Sequence, residues 1–532
     1  MGAKRGQAAR RRALLASAGA VAAAGAAAAL LRGDRAVRTL LRSVAPAPSL
    51  ASRSDWRQLG ERLHGKLLLP GAPGYRVAHE LFDPRFDRVR PRAVARCASS
   101  SDVQRCIDFA RIHGLPLAVR SGGHSYAGYS TGTGLVVDVR GLRQVAFRSG
   151  AAVATVGAGT LQVDLYAGLA RYGRCVPGAS CATVGIGGLA LGGGVGVLAR
   201  QLGLTCDNVA GLELVTADGV LRRCDTATNP DLYWACRGGG GGNFGAVTSF
   251  VLRAHPAPTV SAFGLQWAWS AAPEVVPAWI AWAPHAPDAL WSNCSLIGTL
   301  PGSPPQLRVA GVYIGEARAL GSLLDAFVRL AGTPPATRSV AAYPFLDAML
   351  MEAGCQGFSV AQCHLPAQNG QGRLSRVSFA AKSDFLSQPL GPHGVATLLD
   401  GVAARGGHYR LPGGAVLLDA SGGAVNRVPA DATAYVHRND LCSLQYYAAW
   451  PTDADSAVQR ANRAWLSAFH RAMRPFVSGY AYQNYIDPQL RDWQHAYYGA
   501  NLPRLVAVKR RYDPDDFFHF AQSIPTRLPA GA

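Results

Sequence analysis

Three glycine-rich stretches constrain this chain more than any other feature of its sequence. They read RSGGHSYAGYS over 120–130, PGASCATVGIGGLALGGGVG over 177–196 and RGGGGGNFGAVTSF over 237–250. Glycine lets the backbone approach a ligand closely and present N–H groups to negatively charged oxygens. The three stretches therefore predict a binding site for a large anionic ligand, and a diphosphate is the usual occupant of such a nest.

The segment Gly185-Ile186-Gly187 begins like the fingerprint of a nicotinamide dinucleotide fold. That fingerprint needs a tight strand–turn–helix inside a parallel unit, whereas here a glycine triplet follows within the would-be helix. Each glycine in a helix interior costs about 1 kcal/mol relative to alanine. The sequence therefore disfavours a nicotinamide-binding fold.

The 532 residues are too many for a single compact core, so at least two globular units are expected. A helix is predicted over Asp102–His113, followed by a strand, Pro116–Arg120, that leads into the first glycine-rich stretch. Farther on, NVAGLELVTADGVLRRC reads as two strands joined by an Asp218-Gly219 hairpin turn. Many short strands mixed with helices predict an α+β fold.

The composition changes near Pro256, after which the chain becomes rich in tryptophan and proline and poorer in glycine. The predicted units are a signal and linker over 1–50, a ligand-binding domain over 75–257 and a second domain over 258–477. A C-terminal segment, 478–525, is dense in aromatic and polar residues.

The N-terminus has a basic head followed by an uncharged, alanine-rich run, Ala13–Leu31. This order is typical of an export signal, and Arg11-Arg12 resembles the twin-arginine pattern. The sequence therefore predicts export to the periplasm or the cell exterior, with membrane contact through this signal alone. A retained membrane anchor is the alternative reading, and cleavage after Ala47 or Ala51 is equally compatible with the sequence.

A formal net charge of +20 invites a nucleic-acid interpretation, but the basic residues are nearly all arginine and are scattered along the chain. Nucleic acid is therefore not predicted as a partner. The 11 cysteines do not have the closely spaced pairs of a zinc site, so no metal is predicted. An exported chain could pair ten of them, leaving one for another role.

Four motifs in one order give the chain a family resemblance. RSGGHS, SCATVGIGGLALGGG, NPDLYWACRGGGGGNFG and the C-terminal series from YQNYIDP to QSIP resemble the berberine bridge enzyme-like oxidases, flavoproteins of the vanillyl-alcohol oxidase type. The resemblance covers roughly residues 75–525 and is weaker across 258–410. It implies a two-subdomain PCMH-type FAD-binding domain and an α+β substrate domain, in which helices cover an antiparallel sheet.

The resemblance also implies that FAD is the cofactor and that His124 carries it through the 8α-methyl group of the ring. In bicovalent members a cysteine forms a second link, a thioether to flavin C6, and Cys181 stands at that position. The proline that usually follows is Ala182 here, and a small buried cysteine beside the ring is the alternative role for Cys181. The cofactor-binding residues implied in this way are Arg120, Ser121, Gly122, Gly123, His124, Ser125, Cys181, Thr183, Val184, Gly185, Gly188, Gly193 and Asn484.

The reaction that the resemblance implies is removal of a hydroxyl proton together with hydride transfer from carbon to flavin N5. It needs a general base whose pKa is drawn toward neutrality. Family members use a tyrosine of the YQNY motif, so Tyr485 is the first candidate and Tyr482 the second. In a strand the two would face opposite sides, and either could instead be a packed aromatic residue.

Gln445 aligns with a glutamate base of the alkaloid-cyclising members. Because an amide cannot act as a general base, Gln445 is expected to hydrogen-bond the substrate, which favours oxidation of an alcohol or a carbohydrate. Val184 matches a position at which a small residue accompanies oxygen access, so O2 is expected as the acceptor, with H2O2 as the product.

Three functions remain open at this stage. The first is an exported oxidase of an oligosaccharide or a bulky alcohol. The second is a natural-product tailoring dehydrogenase with a non-oxygen acceptor. The third is a flavin-binding protein without turnover.

Overall fold

The structure is a computed structural model that describes residues 51–299, 302–405 and 413–528. The predicted signal and linker, residues 1–50, lie outside the described residues. Within them, no helix has both the length and the apolar character needed to cross a membrane.

The described residues form strands of two to nine residues. In chain order they are β1 (Lys66–Leu68), β2 (Ala93–Arg96), β3 (Leu117–Arg120), β4 (Leu135–Asp138), β5 (Val145–Arg148), β6 (Val153–Gly157), β7 (Arg174–Cys175), β8 (Val209–Val215), β9 (Leu221–Cys224), β10 (Ala246–Arg253), β11 (His255–Pro256), β12 (Thr259–Trp267), β13 (Leu290–Gly298), β14 (Gln306–Ile314), β15 (Thr337–Pro344), β16 (Ser378–Leu386), β17 (Gly414–Ala420) and β18 (Cys442–Trp450).

The α-helices of the described residues lie before, between and after these strands. They are α1 (Arg53–Arg62), α2 (Tyr75–His79), α3 (Ser100–Ile112), α4 (Gln162–Ala170), α5 (Ile186–Leu191), α6 (Ala199–Leu202), α7 (Pro230–Ala235), α8 (Ala272–Trp282), α9 (Ala317–Ala331), α10 (Phe345–Glu352), α11 (Pro392–Ala404), α12 (Ala424–Arg427), α13 (Ser456–Met473), α14 (Trp493–Tyr498) and α15 (Leu502–Tyr512).

Two smaller sheets position the first glycine-rich stretches. A four-stranded sheet has the order β1-β2-β4-β3, and β4 runs parallel to β2 and to β3. A five-stranded antiparallel sheet has the order β5-β6-β10-β8-β9. The first glycine-rich stretch follows β3 directly, so the pairing of β3 with the fully buried β4 fixes where that loop begins.

A seven-stranded antiparallel sheet, in the order β15-β12-β14-β13-β17-β18-β16, forms the second half of the structure. Alternate residues point to opposite faces of a strand: in β14, Leu307 and Val309 are buried while Arg308 is exposed. One face packs against α8, α9, α11 and α13 through a large apolar core. Burying each large apolar side chain there contributes about 1.5–3 kcal/mol. On the other face, α10 covers one end of the sheet, where Phe345 packs with Trp291 and Val312, and further residues of that face line a cavity.

Local sequence signals explain where the covering helices begin. Helix α11 has proline at its first position, where the missing N–H costs nothing. Helix α13 begins after Asp455, whose carboxylate accepts a hydrogen bond from the Val458 N–H at 2.8 Å. Both helices therefore start where the chain leaves the sheet.

A buried lysine ties the C-terminal segment to the third glycine-rich stretch. The Lys509 ammonium donates hydrogen bonds to the Asn243 carbonyl at 3.0 Å, to Asp513 at 2.7 Å and to the Phe518 carbonyl at 2.7 Å. Lys509 and Asp513 are both fully buried, and Lys509 also pairs with Asp516 at 3.1 Å. Removing Lys509 would therefore leave Asp513 as an uncompensated buried charge. This cluster holds the aromatic C-terminus against the glycine-rich backbone.

The mixture of helices and sheets confirms the α+β expectation. The helix predicted over Asp102–His113 is α3, and the hairpin predicted at Asp218-Gly219 joins β8 to β9, with a φ of 79° at Gly219. The short helix α5 follows Gly185. The four-stranded sheet is mixed and the five-stranded sheet is antiparallel, whereas a nicotinamide-binding fold has a parallel sheet.

The cysteines differ from the expectation that ten could pair. All 11 lie in the described residues, and they form one disulfide, Cys355–Cys363. The others are free thiols, buried in every case except Cys181. Most of them are small apolar side chains of the core.

Candidate active site

A cavity of about 1190 Å³ is lined by residues of all three glycine-rich stretches and by the open face of the seven-stranded sheet. Its volume exceeds the roughly 300–1,000 Å³ of a pocket for one drug-sized ligand. The cavity is therefore large enough for a dinucleotide and a second molecule.

His124 lies on the cavity wall, directly after Gly123, whose φ of 77° favours glycine. The Nε2 atom lies 2.9 Å from Thr183 Oγ1, and the imidazole stacks on Phe82 with the ring centroids 4.1 Å apart. Burial lowers the pKa of His124 to about 3, because desolvation disfavours the charged ring. His124 is therefore a neutral, oriented imidazole at neutral pH.

Cys181 lies on the same wall, two residues before Thr183. Although its side chain faces the open cavity, the surrounding protein atoms desolvate the thiol and raise its pKa. Ala182, which stands where the family has proline, is buried against the Cys355–Cys363 disulfide. The Ala182 carbonyl accepts a hydrogen bond from the Val163 N–H at 3.1 Å, so this turn is held without the proline.

Glycine is required where the first two stretches meet. A Cβ atom at Gly122 would lie 2.3 Å from the Gly185 nitrogen, and one at Gly185 would lie 2.0 Å from Ser121 Oγ. Other glycines of the wall have open space instead: a Cβ atom at Gly188 would meet nothing within 4 Å, and one at Gly241 would meet nothing closer than 3.8 Å. Gly122 and Gly185 thus allow the two loops to touch, whereas Gly188 and Gly241 leave room for a ligand.

Most of the predicted cofactor-binding residues line this cavity. They are Ser121, Gly122, Gly123, His124, Ser125, Cys181, Thr183, Val184, Gly185, Gly188 and Asn484. Arg120 and Gly193 are not among the lining residues. The buried Arg120 guanidinium instead pairs with Asp138 at 3.3 Å, and a Cβ atom at Gly193 would lie 2.8 Å from the Tyr435 ring.

The candidate tyrosines lie on a tight turn and not on a strand. Gln483–Tyr485 forms a 3-10 turn, and the Tyr485 N–H donates to the Tyr482 carbonyl at 2.9 Å. The turn brings both rings to the cavity, with centroids 4.9 Å apart. The alternation expected of a strand therefore does not separate them.

The two tyrosine hydroxyls have different surroundings. Tyr482 Oη accepts hydrogen bonds from the Gly194 N–H at 2.9 Å and from Asn484 Nδ2 at 3.0 Å. Among the described residues, no group lies within hydrogen-bond distance of the Tyr485 hydroxyl. Tyr482 is thus occupied in holding the second glycine-rich stretch, whereas Tyr485 presents its hydroxyl to the cavity.

Tyr126 is a site residue that the sequence reasoning missed, although it lies in the first glycine-rich stretch. Its ring stacks on Tyr485, with centroids 5.5 Å apart and planes at 11°. Its hydroxyl accepts a hydrogen bond from Gln445 Nε2 at 2.9 Å. Gln445 therefore reaches the tyrosine pair through Tyr126.

Asp419 is the second residue that was missed. It lies on β17, lines the cavity, and accepts a hydrogen bond from Asn293 Nδ2 at 2.6 Å. Burial raises the pKa of Asp419 to about 6. An aspartate among the apolar residues of GAVLLDA was the available sequence signal, but its neighbours on β13 are distant in the sequence.

The electrostatics of Tyr485 differ from the expectation for a base. Burial, followed by the nearby Asp419 charge, raises the pKa of Tyr485 well above its usual value. The hydroxyl is therefore protonated at neutral pH in the described chain. Among these two side chains, Asp419 is the one that titrates near neutrality.

Comparisons with known proteins bear on this cavity. A family model described as an FAD binding domain matches residues 91–225, and one described as berberine and berberine like matches residues 481–525. The uncharacterised FAD-linked oxidoreductase YvdP of Bacillus subtilis is 33% identical over 469 residues, which cover 87% of this chain and 98% of YvdP.

Solved structures share the fold. BBE-like 1 of Physcomitrella patens matches with a TM-score of 0.81 at 28% identity, covering 89% of this chain and 100% of that chain. The grass pollen allergen Phl p 4, described as having glucose dehydrogenase activity, has a TM-score of 0.76 at 26% identity and covers 87% of this chain and 97% of its own. A variant of that allergen, with valine for an isoleucine and histidine for an asparagine, is described as a glucose oxidase.

The raised pKa of Asp419 makes a prediction about stability. Between about pH 4 and pH 6 the folded chain holds a proton that the unfolded chain has lost, so this residue reduces stability as the pH rises through that window. The Asp419→Asn variant lacks the titration. Thermal unfolding should show a midpoint on the order of 1–2 °C above wild type at pH 8 and no difference at pH 4.

The exposed Asp431→Asn variant is the matched control and should unfold like wild type at both pH values. An Asp419→Asn effect of the same size at pH 4 and at pH 8 would contradict the prediction, since it would not come from titration.

Proposed function

The chain belongs to the berberine bridge enzyme-like family of FAD-linked oxidoreductases, and from this premise we propose that it oxidises an alcohol or hemiacetal carbon of a sugar or bulky natural product. The observation that carries the proposal is that one cavity is lined both by the residues suited to hold a flavin and by residues suited to acid–base chemistry. One wall holds His124 and Cys181, and the other holds Tyr485, Asp419 and Gln445.

The residues present fit FAD. The empty space beside Gly188 and Gly241 is a cradle that a Cβ atom would fill, and backbone N–H groups of such stretches suit a diphosphate. The neutral His124 and the free, exposed Cys181 suit covalent attachment to a flavin ring. When bound, FAD supplies the acceptor for the hydride at N5.

Covalent attachment is proposed at both residues, in a fixed order. His124 is neutral and held by Thr183, so it is ready as a nucleophile. Cys181 has a raised pKa, which works against its thiolate. His124 would therefore hold the ring first, and Cys181 would be the second point of attachment beside it.

The second group of cavity residues, Tyr485, Asp419 and Gln445, handles the proton. Tyr485 presents a hydroxyl with no partner among the described residues, so it is the group placed to hydrogen-bond the substrate hydroxyl. Gln445 and Tyr126 hold its ring in place through their hydrogen bond and the ring stack. Asp419, ionised above about pH 6, is the group that retains the proton taken from the substrate.

A sugar or another bulky, hydroxyl-rich molecule suits the width of the site. The open face of the sheet presents Asn293, Ser295, Asp419 and Gln445 to the cavity, and polar side chains of this kind hydrogen-bond hydroxyl groups. The glucose dehydrogenase activity described for Phl p 4 supports the same substrate class. We also propose that the protein is exported through its N-terminal signal. This proposal depends only on the sequence of residues 1–50.

The first experiment locates the flavin after acid precipitation and proteolysis. Yellow flavin should remain on the chain and should map to the peptides containing His124 and Cys181. The Cys181→Ser variant should keep the His124 link, while His124→Ala should lose both because the ring is never fixed. A variant lacking His124 that still carries flavin at Cys181 would contradict the order, and a flavin-free wild-type chain would contradict the proposed attachment.

O2 is the proposed acceptor because Val184 lines the cavity at the position that the family resemblance assigns to oxygen access. The glucose oxidase described for the Phl p 4 variant, which carries a new valine, supports this choice. Reduced wild-type protein should reoxidise rapidly in air and release H2O2, and Val184→Leu should slow this step at least tenfold without slowing anaerobic reduction. Slow reoxidation of the wild type would favour a dehydrogenase with another acceptor.

The Tyr485→Phe variant should retain covalent flavin and lose about 10²–10⁴-fold in anaerobic flavin reduction, the usual contribution of one acid–base group. The control is Tyr447→Phe, since Tyr447 also lines the cavity but stacks on Phe379, and its reduction rate should stay within a few-fold of wild type. A large loss in Tyr482→Phe with an unchanged Tyr485→Phe would transfer the role to Tyr482. Full flavin loading without turnover on any alcohol would favour a non-catalytic flavin protein.

A further inference from the structure

One row of directly opposed residues crosses the open face of the seven-stranded sheet. Gln445 on β18 opposes Leu417 on β17, Leu417 opposes Ser295 on β13, and Ser295 opposes Arg308 on β14. All four line the cavity. Because neighbouring strands lie about 4.8 Å apart, the Gln445 and Arg308 backbones are about 14 Å apart.

The Arg308 side chain is exposed in the cavity and reaches away from Gln445. A Cβ atom on Gly264 of β12, the next strand, would lie 3.9 Å from Arg308 Nη2 and 3.2 Å from Ser339 Oγ. The absent side chain of Gly264 therefore leaves room for the guanidinium beside the Ser339 hydroxyl. This end of the cavity is the one farthest from Tyr485 along the row.

Arg308 lacks the carboxylate partner that Arg338, the other arginine in the strands of this sheet, has. Among the described residues, no carboxylate lies within the 4.0 Å ion-pair distance of its guanidinium. Arg338, on β15, donates to Asp325 at 2.5 Å and points to the helix-covered face. Arg308 thus keeps the planar fork of donors that matches a carboxylate.

We propose that the Arg308 guanidinium forms a subsite for a carboxylate on the substrate. The neighbouring hydroxyls of Ser295 and Ser339 line this subsite but donate their protons to Asn293 Oδ1 and to the Gly264 carbonyl. The substrate would be an elongated, acidic molecule, such as an oligosaccharide with a uronic acid residue at its far end. The carboxylate would bind at the Arg308 end of the row, where the backbone lies about 14 Å from that of Gln445. This inference rests on the proposed function, which places the carbon that is oxidised beside Gln445 and Tyr485.

Glu352, at the end of α10, is a carboxylate whose charge interacts with that of Arg308. Burial raises the pKa of Glu352, and the Arg308 charge opposes this shift. Glu352 also lines the cavity. It therefore competes with a substrate carboxylate for the guanidinium, and its removal strengthens the binding of an acidic ligand.

The test uses the flavin-loaded protein and two matched trisaccharides, cellotriose and cellotriose whose non-reducing terminal C6 is oxidised to a carboxylate. Binding is measured by calorimetry and by the change in the flavin spectrum. Wild type should bind the acidic probe about 10- to 100-fold more tightly, as expected for a charge-assisted hydrogen-bonded pair. The ratio should approach one in Arg308→Gln, be intermediate in Arg308→Lys and rise in Glu352→Gln.

Arg338→Gln is the matched control, because it removes an arginine from the opposite face of the same sheet, and its ratio should equal that of wild type. Equal binding of the two probes by wild type, or a preference that persists in Arg308→Gln, would overturn the subsite.

Anaerobic flavin reduction separates this inference from the proposed function. An Arg308-dependent preference in binding without flavin reduction would count against oxidation of sugars and leave the carboxylate subsite in place. Reduction by both probes at equal kcat/KM, unchanged in Arg308→Gln, would support the oxidation and remove the subsite.

Discussion

The close approach of the Gly122 and Gly185 backbones decides where the two flavin-linking candidates lie. A Cβ atom at either position would fall within 2.3 Å of the opposite loop, and Ser121 Oγ, in the same contact, donates to the Ala158 carbonyl at 2.7 Å. The atoms that a Cβ atom at Gly122 would meet belong to the backbone of Thr183 and Gly185. No side chain could therefore move aside to make room for it. The loop of His124 and the turn of Cys181 are therefore joined at a point that only glycine permits, and the Thr183 contact to His124 follows from it.

The seven-stranded sheet fixes the other wall in the same rigid way. Its strands alternate between an apolar face under the helices and a polar face in the cavity, so the pairings that build the core also place the site. A shift of β14 by one residue would exchange Arg308 for the buried Val309, and the same shift in β17 would exchange Asp419 for Leu418. Because burying either charge under the helices would be costly, the apolar core specifies the register of the polar wall.

The parts of the site that the sequence predicts are those written in short local motifs. His124, Cys181 and Tyr485 lie within glycine-rich or aromatic segments whose resemblance to a family is recognisable, and the cavity contains all three. Asp419 and Arg308 could not be predicted, because their place in the cavity depends on how the strands pair. Asp419, for example, meets Asn293 through a pairing of segments more than one hundred residues apart. The shape of the YQNY segment is beyond a pattern argument for a different reason: alternation applies only to a strand, and a 3-10 turn brings both Tyr482 and Tyr485 to the cavity.

The acid–base behaviour of the cavity follows mainly from burial, which raises the pKa of Asp419 to about 6 and the pKa of Tyr485 well above its usual value. The Asp419 charge adds to the shift of Tyr485, so at neutral pH Asp419 carries the negative charge and Tyr485 keeps its proton. Asp419 is therefore the group of the two that can take up a proton at neutral pH, while Tyr485, which makes no hydrogen bond to Asp419, remains a hydrogen-bonding group. The pH dependence of turnover near neutrality should therefore follow the titration of Asp419, because Tyr485 stays protonated throughout that range. The burial that raises both pKa values and costs stability is thus the same burial that makes a carboxylate titrating near pH 6 available to the reaction.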